Sequence, residues 1–189
     1  FDVLEPALAD RAAAHGLHAL ALPIRSVGVK ADMRAYEHPA LLGGDIGWDA
    51  LVDAVAVITS EVRGGHRCGW NLAPEMPRTA VPKPGHATRE RLDLLREADS
   101  IVMRALRGHG LYHEIWQCPT VLVPLDLDDS GGELVVLRPV QSRRAMTAQP
   151  VALHEAILNE LRHDLLALPG VTGLALDVTS KPPGTIEWE

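Results

Sequence analysis

A set of polar side chains near predicted turns and strand ends has the chemistry needed to bind a small phosphorylated ligand. Its members are Asp32 and Arg34, Gln117, Arg138, Arg143 and Arg144, Lys181, and Glu187. Lysine and arginine bind phosphate oxygens, arginine often through two parallel hydrogen bonds. Amide and carboxylate groups suit the polar edge of a purine dione. The set therefore matches a nucleoside monophosphate, although Arg–Asp pairs at turns are more often solvated surface pairs.

The last twelve residues place Lys181 and Glu187 on one short segment. Two prolines follow Lys181 and restrict φ, and a glycine then relaxes it, so we predict a rigid bend. Residues 185–189 alternate as a strand does, with Glu187 on one face and Ile186 and Trp188 on the other. This segment is predicted to be docked on the domain. The simpler alternative is an edge strand whose Trp188 only fills the core.

No motif predicts a self-contained catalytic or metal site, because Walker, GxGxxG and GxSxG patterns are all missing from the sequence. His109 and His113 are four residues apart, but the neighbouring glycines interrupt a helix and no third ligand is nearby. The pattern over residues 126–131 resembles the start of an EF-hand loop, yet Leu137 occupies the position of the essential glutamate. We therefore predict a hairpin turn there, no metal, and no independent enzyme.

Composition excludes several classes of protein. The net charge is 18 − 25 = −7, which argues against nucleic-acid binding but still permits a small anion. Cys68 and Cys118 form no CxxC motif, so we expect an intracellular, cytoplasmic protein. No apolar run is long enough for a membrane span. Because the chain begins at Phe1 rather than methionine, we expect it to be a fragment or a processed chain.

The order of predicted elements divides the chain into two similar halves. Residues 1–72 form the first, residues 73–87 hold four prolines and read as a linker, and residues 88–189 form the second. The sequence His-Gly-Leu occurs after the first predicted helix of each half. We predict an α+β fold of two tandem αββαββ subdomains, each with two helices on an antiparallel sheet, packed as a pseudo-dimer. The last helix is predicted to begin at Pro150.

Five sequence motifs that resemble those of one known protein family are spread over most of the chain. The longest are Leu22-Pro-Ile-Arg-Ser-Val-Gly-Val-Lys-Ala-Asp-Met-Arg-Ala-Tyr36 and Asp177-Val-Thr-Ser-Lys-Pro-Pro-Gly-Thr-Ile-Glu-Trp-Glu189, with shorter ones at Leu94–Asp99, Ile115–Gln117 and Met146–Ala148. They resemble GMP synthase, the glutamine-hydrolysing enzyme of guanine nucleotide synthesis, in its C-terminal dimerisation region. The doubled layout looks like the two-subdomain form of eukaryotic-type enzymes.

The resemblance implies a function shared with other domains. The family adenylates the C2 oxygen of xanthosine monophosphate (XMP) with ATP and then displaces AMP with ammonia from glutamine. Its glutaminase and ATP-pyrophosphatase domains, where ATP and Mg²⁺ bind, have no counterpart in this sequence. The chain is thus expected to bind XMP or a related purine monophosphate, to partner those domains, and possibly to form a homodimer, as part of a ligase and without a cofactor of its own.

Site residues also follow from the resemblance, position by position. It implies XMP contacts at Asp32 and Arg34 in the first half, and at Gln117, Lys181 and Glu187 in the second. One departure is Ala31, where the family has glycine; if that turn needs a positive φ, alanine costs about 1 kcal/mol and displaces Asp32. The alternative is a free-standing relative that binds purine nucleotides, or another partner, without ligase activity.

Overall fold

Helices form where apolar residues recur at helical spacing. The computed structural model describes residues 3–30 and 33–188. Its helices are α1 (Leu4–Ala13), α2 (Trp48–Glu61), α3 (Arg89–Gly108) and α4 (Glu155–Leu166). After α1 the chain turns at Gly16, whose φ of 73° is the left-handed conformation that glycine adopts without strain. Thr88 caps α3 by accepting a hydrogen bond from the amide of Arg91 at 3.3 Å.

The strands assemble mainly into one mixed sheet. They are β1 (His18–Ala21), β2 (Ser26–Lys30), β3 (Met33–Gly43), β4 (Gly65–Ala73), β5 (Ala80–Pro82), β6 (Thr120–Val123), β7 (Leu125–Leu127), β8 (Glu133–Leu137), β9 (Val140–Gln141), β10 (Gln149–Pro150) and β11 (Val171–Asp177). Seven of them form one sheet. Six lie in the order β1-β3-β4-β11-β8-β6, and the seventh, β2, pairs with β3 outside this order. The remaining strands pair as β9 with β10 and β5 with β7.

The sheet order is symmetric about its centre. In the first half, β3 and β4 are parallel and α2 connects them; in the second, β8 and β11 are parallel and α4 connects them. The two halves meet through the antiparallel pair β4 and β11. This arrangement resembles two copies of one unit related by a two-fold axis, joined edge to edge.

The core has two layers, one on each face of the sheet. One contains the buried faces of all four helices together with Leu42, Leu137 and Leu176 of the strands. Alternate strand residues, such as Leu41 and Val136, face the other way and pack in a second cluster that Trp188 joins. Both faces of the sheet are therefore covered.

The α+β class is confirmed, while several details differ from the sequence predictions. The sheet is mixed and shared by both halves, because each crossover helix returns the chain to a parallel strand. The chain at Pro150 pairs with Val140 instead of starting a helix, and α4 begins only after His154. The proline-rich stretch contains the short strand β5, which pairs with β7.

The C-terminal segment is docked, but residues 185–188 form an irregular, bent stretch rather than the predicted strand. The hydroxyl of Thr185 donates to the carbonyl of Glu187 at 2.6 Å, which closes a local turn. The carbonyls of both residues accept from Arg67, so they are not available to a neighbouring strand. Glu189 lies outside the described residues.

Candidate functional site

Three charged side chains are fully buried at one end of the sheet. Arg67, Arg138 and Asp177 each have 0% exposure. They lie beside residues that face the helices, so alternation directs them to the opposite face, towards the C-terminal segment. The carboxylate of Asp177 accepts from Nη1 of Arg67 at 2.7 Å and from Nη1 of Arg138 at 2.8 Å. This cluster links β4 of the first half with β11 and with the residue that follows β8 in the second.

The cluster carries one more positive charge than negative. Burial alone would raise the pKa of Asp177, but the charges of Arg138 and Arg67 and hydrogen bonds from Arg67 and the Thr179 amide hold it below the ordinary value of 3.8. Burial lowers the pKa of Arg138, opposed by Asp177 and assisted by the charge of Arg67. An arginine still remains protonated at neutral pH. The surplus charge therefore persists behind the C-terminal segment.

The tail, which we define as residues 178–188, is fixed at both ends of its Lys-Pro-Pro turn. The amide of Val29 donates to the carbonyl of Pro183 at 2.7 Å. Lys181 and Ala148 exchange two backbone hydrogen bonds, of 2.8 and 3.1 Å. Ile186 is 3% exposed in a small cluster with Ala148. The tail is thus packed against both halves of the chain.

A hollow of about 250 Å³ lies between β2, β3 and the tail. Its lining includes Arg34, Lys181 and Glu187, together with Val27, Val29 and Thr185. Three of the five residues predicted to bind the ligand therefore line one hollow, although they come from opposite ends of the sequence. The Nζ of Lys181 donates to the carbonyl of Ala145 at 2.7 Å, so two of its three donors remain for a ligand.

The structure does not place the other two predicted ligand residues, Gln117 and Asp32, at this hollow. Gln117 lines a separate hollow of about 360 Å³ with Tyr112 and Trp116, and the structure does not bring it to the hollow of Lys181. Asp32 falls outside the described residues, as does Ala31. Their predicted roles remain predictions.

The remaining arginines of the predicted set have different surroundings. Arg138 belongs to the buried cluster. Arg143 and Arg144 are exposed on a loop that encloses a third hollow, of about 420 Å³. Ser142 organises this loop by accepting from the amide of Ala145 at 2.9 Å. The loop thus presents the Ala145 carbonyl that holds Lys181.

Sequence reasoning missed the role of Arg67. The sequence predicts a short strand over residues 67–72 and gives Arg67 no further role, whereas in β4 it lies between the buried residues His66 and Cys68. A charged residue within a buried strand needs a buried partner of opposite charge. Asp177, at the end of the largely apolar strand β11, is such a partner, so the sequence carried a signal at Asp177 but none at Arg67.

The described part of the chain offers neither a membrane-spanning helix nor a cluster of metal ligands. Within residues 3–30 and 33–188, no helix is both long and apolar enough to cross a membrane. In the same part of the chain, histidine, cysteine, aspartate and glutamate side chains form no group of three suited to a metal ion.

Comparison with known proteins adds a sequence relationship. Residues 104–188 match the profile of the family described as GMP synthase C terminal domain. The chain is 38% identical over 183 residues to a probable glutamine-hydrolyzing GMP synthase of Leptospira interrogans, covering 92% of this chain and 29% of that protein. It is 39% identical over 181 residues to the GMP synthase of Leifsonia xyli, covering 84% of this chain and 35% of that protein. It is 46% identical over 122 residues to the GMP synthase of Streptomyces coelicolor, covering 60% of this chain and 23% of that protein. The chain thus spans about a third or less of these relatives.

Proposed function

We propose that this chain is the nucleotide-binding and dimerisation region of a GMP synthase. The basis is that residues 104–188 belong to the family of GMP synthase C-terminal domains. Its ligand would be XMP or a closely related purine monophosphate. Its role would be in GMP biosynthesis, in the cytoplasm. Catalysis would belong to an ATP-pyrophosphatase domain, with its ATP and Mg²⁺, and to a glutaminase domain, with which the chain would act.

The observation that carries this proposal is the hollow lined by Arg34, Lys181 and Glu187. Two cations and one carboxylate suit a ligand with a phosphate at one end and hydrogen-bond donors elsewhere. Arginine can bind two phosphate oxygens at once, and the ammonium of Lys181 adds a flexible third contact. The buried surplus charge of the Arg67 cluster lies behind this hollow and adds to its affinity for an anion.

The size of the hollow agrees with a site shared between domains. Small-molecule pockets that enclose a whole ligand usually measure about 300–1,000 Å³. A hollow of about 250 Å³ would hold one end of a nucleotide and leave the other end for a partner domain. We therefore expect the chain alone to bind XMP more weakly than the complete enzyme does.

The experiment that tests the proposal is calorimetric titration of the chain with XMP, GMP and IMP at up to millimolar concentrations. We expect XMP to bind, and we expect Lys181→Ala to weaken binding about tenfold, since one charge-assisted hydrogen bond is lost. The matched control is Lys83→Ala. That lysine also donates to backbone carbonyls, of Gly131 and Gly132, but does not line the hollow.

Two results would contradict the proposal. One is that none of the three monophosphates binds the wild-type chain at millimolar concentration. The other is that Lys181→Ala and Lys83→Ala have the same effect on affinity. The rival function, an interaction module without a nucleotide ligand, predicts the first of these results.

A further inference from the structure

We propose that Arg67 is a positioning residue that fixes the tail over the hollow of Lys181 and Glu187. The expected effect of Arg67 on ligand affinity rests on the proposed function, whereas its effect on the position of the tail does not. Arg67 does not line the hollow. It would act through the residues that do.

One guanidinium nitrogen of Arg67 binds three residues of the hollow's wall. Its Nη2 lies 3.1 Å from the carbonyl of Val27, 2.9 Å from the hydroxyl of Thr185 and 3.1 Å from the carbonyl of Glu187. Val27 belongs to β2, whereas Thr185 and Glu187 belong to the tail. Arg67 therefore connects β2 and the tail, which form two sides of the hollow, without lining the hollow itself.

The other guanidinium nitrogen anchors this contact to the sheet. Nη1 of Arg67 donates to Asp177 at 2.7 Å, and the indole Nε1 of Trp188 donates to the same carboxylate oxygen, also at 2.7 Å. The ring of Trp188 lies over the guanidinium, with its centroid 5.0 Å away. Asp177 is itself held by Arg138. The tail is consequently bound by its carbonyls, a hydroxyl and an indole to one rigid charged centre.

Only arginine offers this combination of contacts. Its planar group presents donors in a fixed fork, so one edge can hold Asp177 while the other holds the hollow's wall. A lysine at this position would keep the charge and the ion pair but would not reach both sets of acceptors. Arg67→Lys thus separates the positioning of the tail from the buried charge.

The experiment compares Arg67→Lys with Arg91→Lys in the full chain. Arg91 is a matched control, because it pairs with Glu133 at 2.9 Å and binds the backbone carbonyls of His86 and Leu122, and none of its hydrogen-bond partners among the described residues belongs to the tail. The tail is followed by fluorine NMR of chains labelled with 5-fluorotryptophan, with the Trp188 signal assigned through Trp188→Phe. Affinity for XMP is measured by calorimetry.

We expect Arg67→Lys to shift or broaden the Trp188 signal and to weaken XMP binding about tenfold. We expect Arg91→Lys to leave the Trp188 signal and the XMP affinity unchanged, even if it lowers the melting temperature as much as Arg67→Lys does. A purely structural role would change the melting temperature and leave the Trp188 signal and the affinity as in the control.

A second variant guards against a failure to fold. Thr185→Val removes one acceptor of Arg67 and leaves all buried charges in place. We expect it to shift the same Trp188 signal in the same direction. An unchanged Trp188 signal in both Arg67→Lys and Thr185→Val would overturn the inference. If no monophosphate binds the wild-type chain, the proposed function fails, but the Trp188 signal still decides the role of Arg67.

Discussion

Asp177 is the only carboxylate among the three fully buried charges, and its environment makes a pH prediction at the residue scale. Its pKa in the folded chain is below the ordinary value of 3.8, so its charged form stabilises the fold at higher pH. This stabilisation is complete above about pH 4 and is lost as the pH falls through the lowered pKa. Acid therefore weakens the link between the two halves.

Asp177→Asn tests this pH dependence. At pH 7 we expect the variant to lose about 3–5 kcal/mol of unfolding free energy, because two buried arginines lose their counter-charge. Urea unfolding is measured from pH 7 down to pH 3. We expect the difference between wild type and variant to shrink below about pH 4. A difference that stays constant down to pH 3 would show that the carboxylate does not titrate as described.

At the scale of elements, Gly28 permits the tail to lie against β2. A β-carbon at this position would be 2.3 Å from Cδ2 of His66 and 2.8 Å from the carbonyl of Pro183. We expect Gly28→Ala to displace the Lys-Pro-Pro turn and to expose the tail to limited proteolysis. Gly47→Ala is the control, since nothing lies within 4 Å of its added carbon and its φ of −69° suits alanine. Equal cleavage of both variants would contradict this view of the tail.

Much of each element was predictable from the sequence, because helix faces depend on local periodicity. Apolar residues recur at helical spacing from Trp48 to Val62 and from Leu92 to Leu106, and this spacing predicts α2 and α3 to within a few residues. Strand order was not predictable in the same way, since parallel pairing depends on how α2 and α4 pack across the sheet. The turn of the tail depends on Arg67, more than a hundred positions away, so alternation alone gave the wrong element there.

The candidate site was predictable only in part, and for similar reasons. The polar set found in the sequence includes Arg34, Lys181 and Glu187, the resemblance implies ligand contacts at all three, and all three line one hollow. The role of Arg67 depends on contacts across the whole chain, which no local pattern reveals. Gln117 lies at another hollow, because its strand pairing with Val140 fixes it there.

At the scale of the whole molecule, the pairing of β4 with β11 joins the two halves into one sheet. This internal contact is of the kind that two identical subunits would otherwise make. If the chain is the dimerisation region of a GMP synthase, the pairing of β4 with β11 supplies that contact within one chain, and we expect the chain alone to be a monomer with a mass near 20.4 kDa by light scattering at micromolar concentration. An obligate dimer would show that the duplication has not replaced a contact between subunits.

The hollow between β2, β3 and the tail is the proposed binding site of the nucleotide. The most direct test is a crystal structure of the chain soaked with XMP at millimolar concentration. We expect density for the phosphate within about 3 Å of Nζ of Lys181 and of the Arg34 guanidinium. Density for XMP elsewhere, for example in the loop of Arg143 and Arg144, with this hollow unchanged, would show that the hollow is not the nucleotide site.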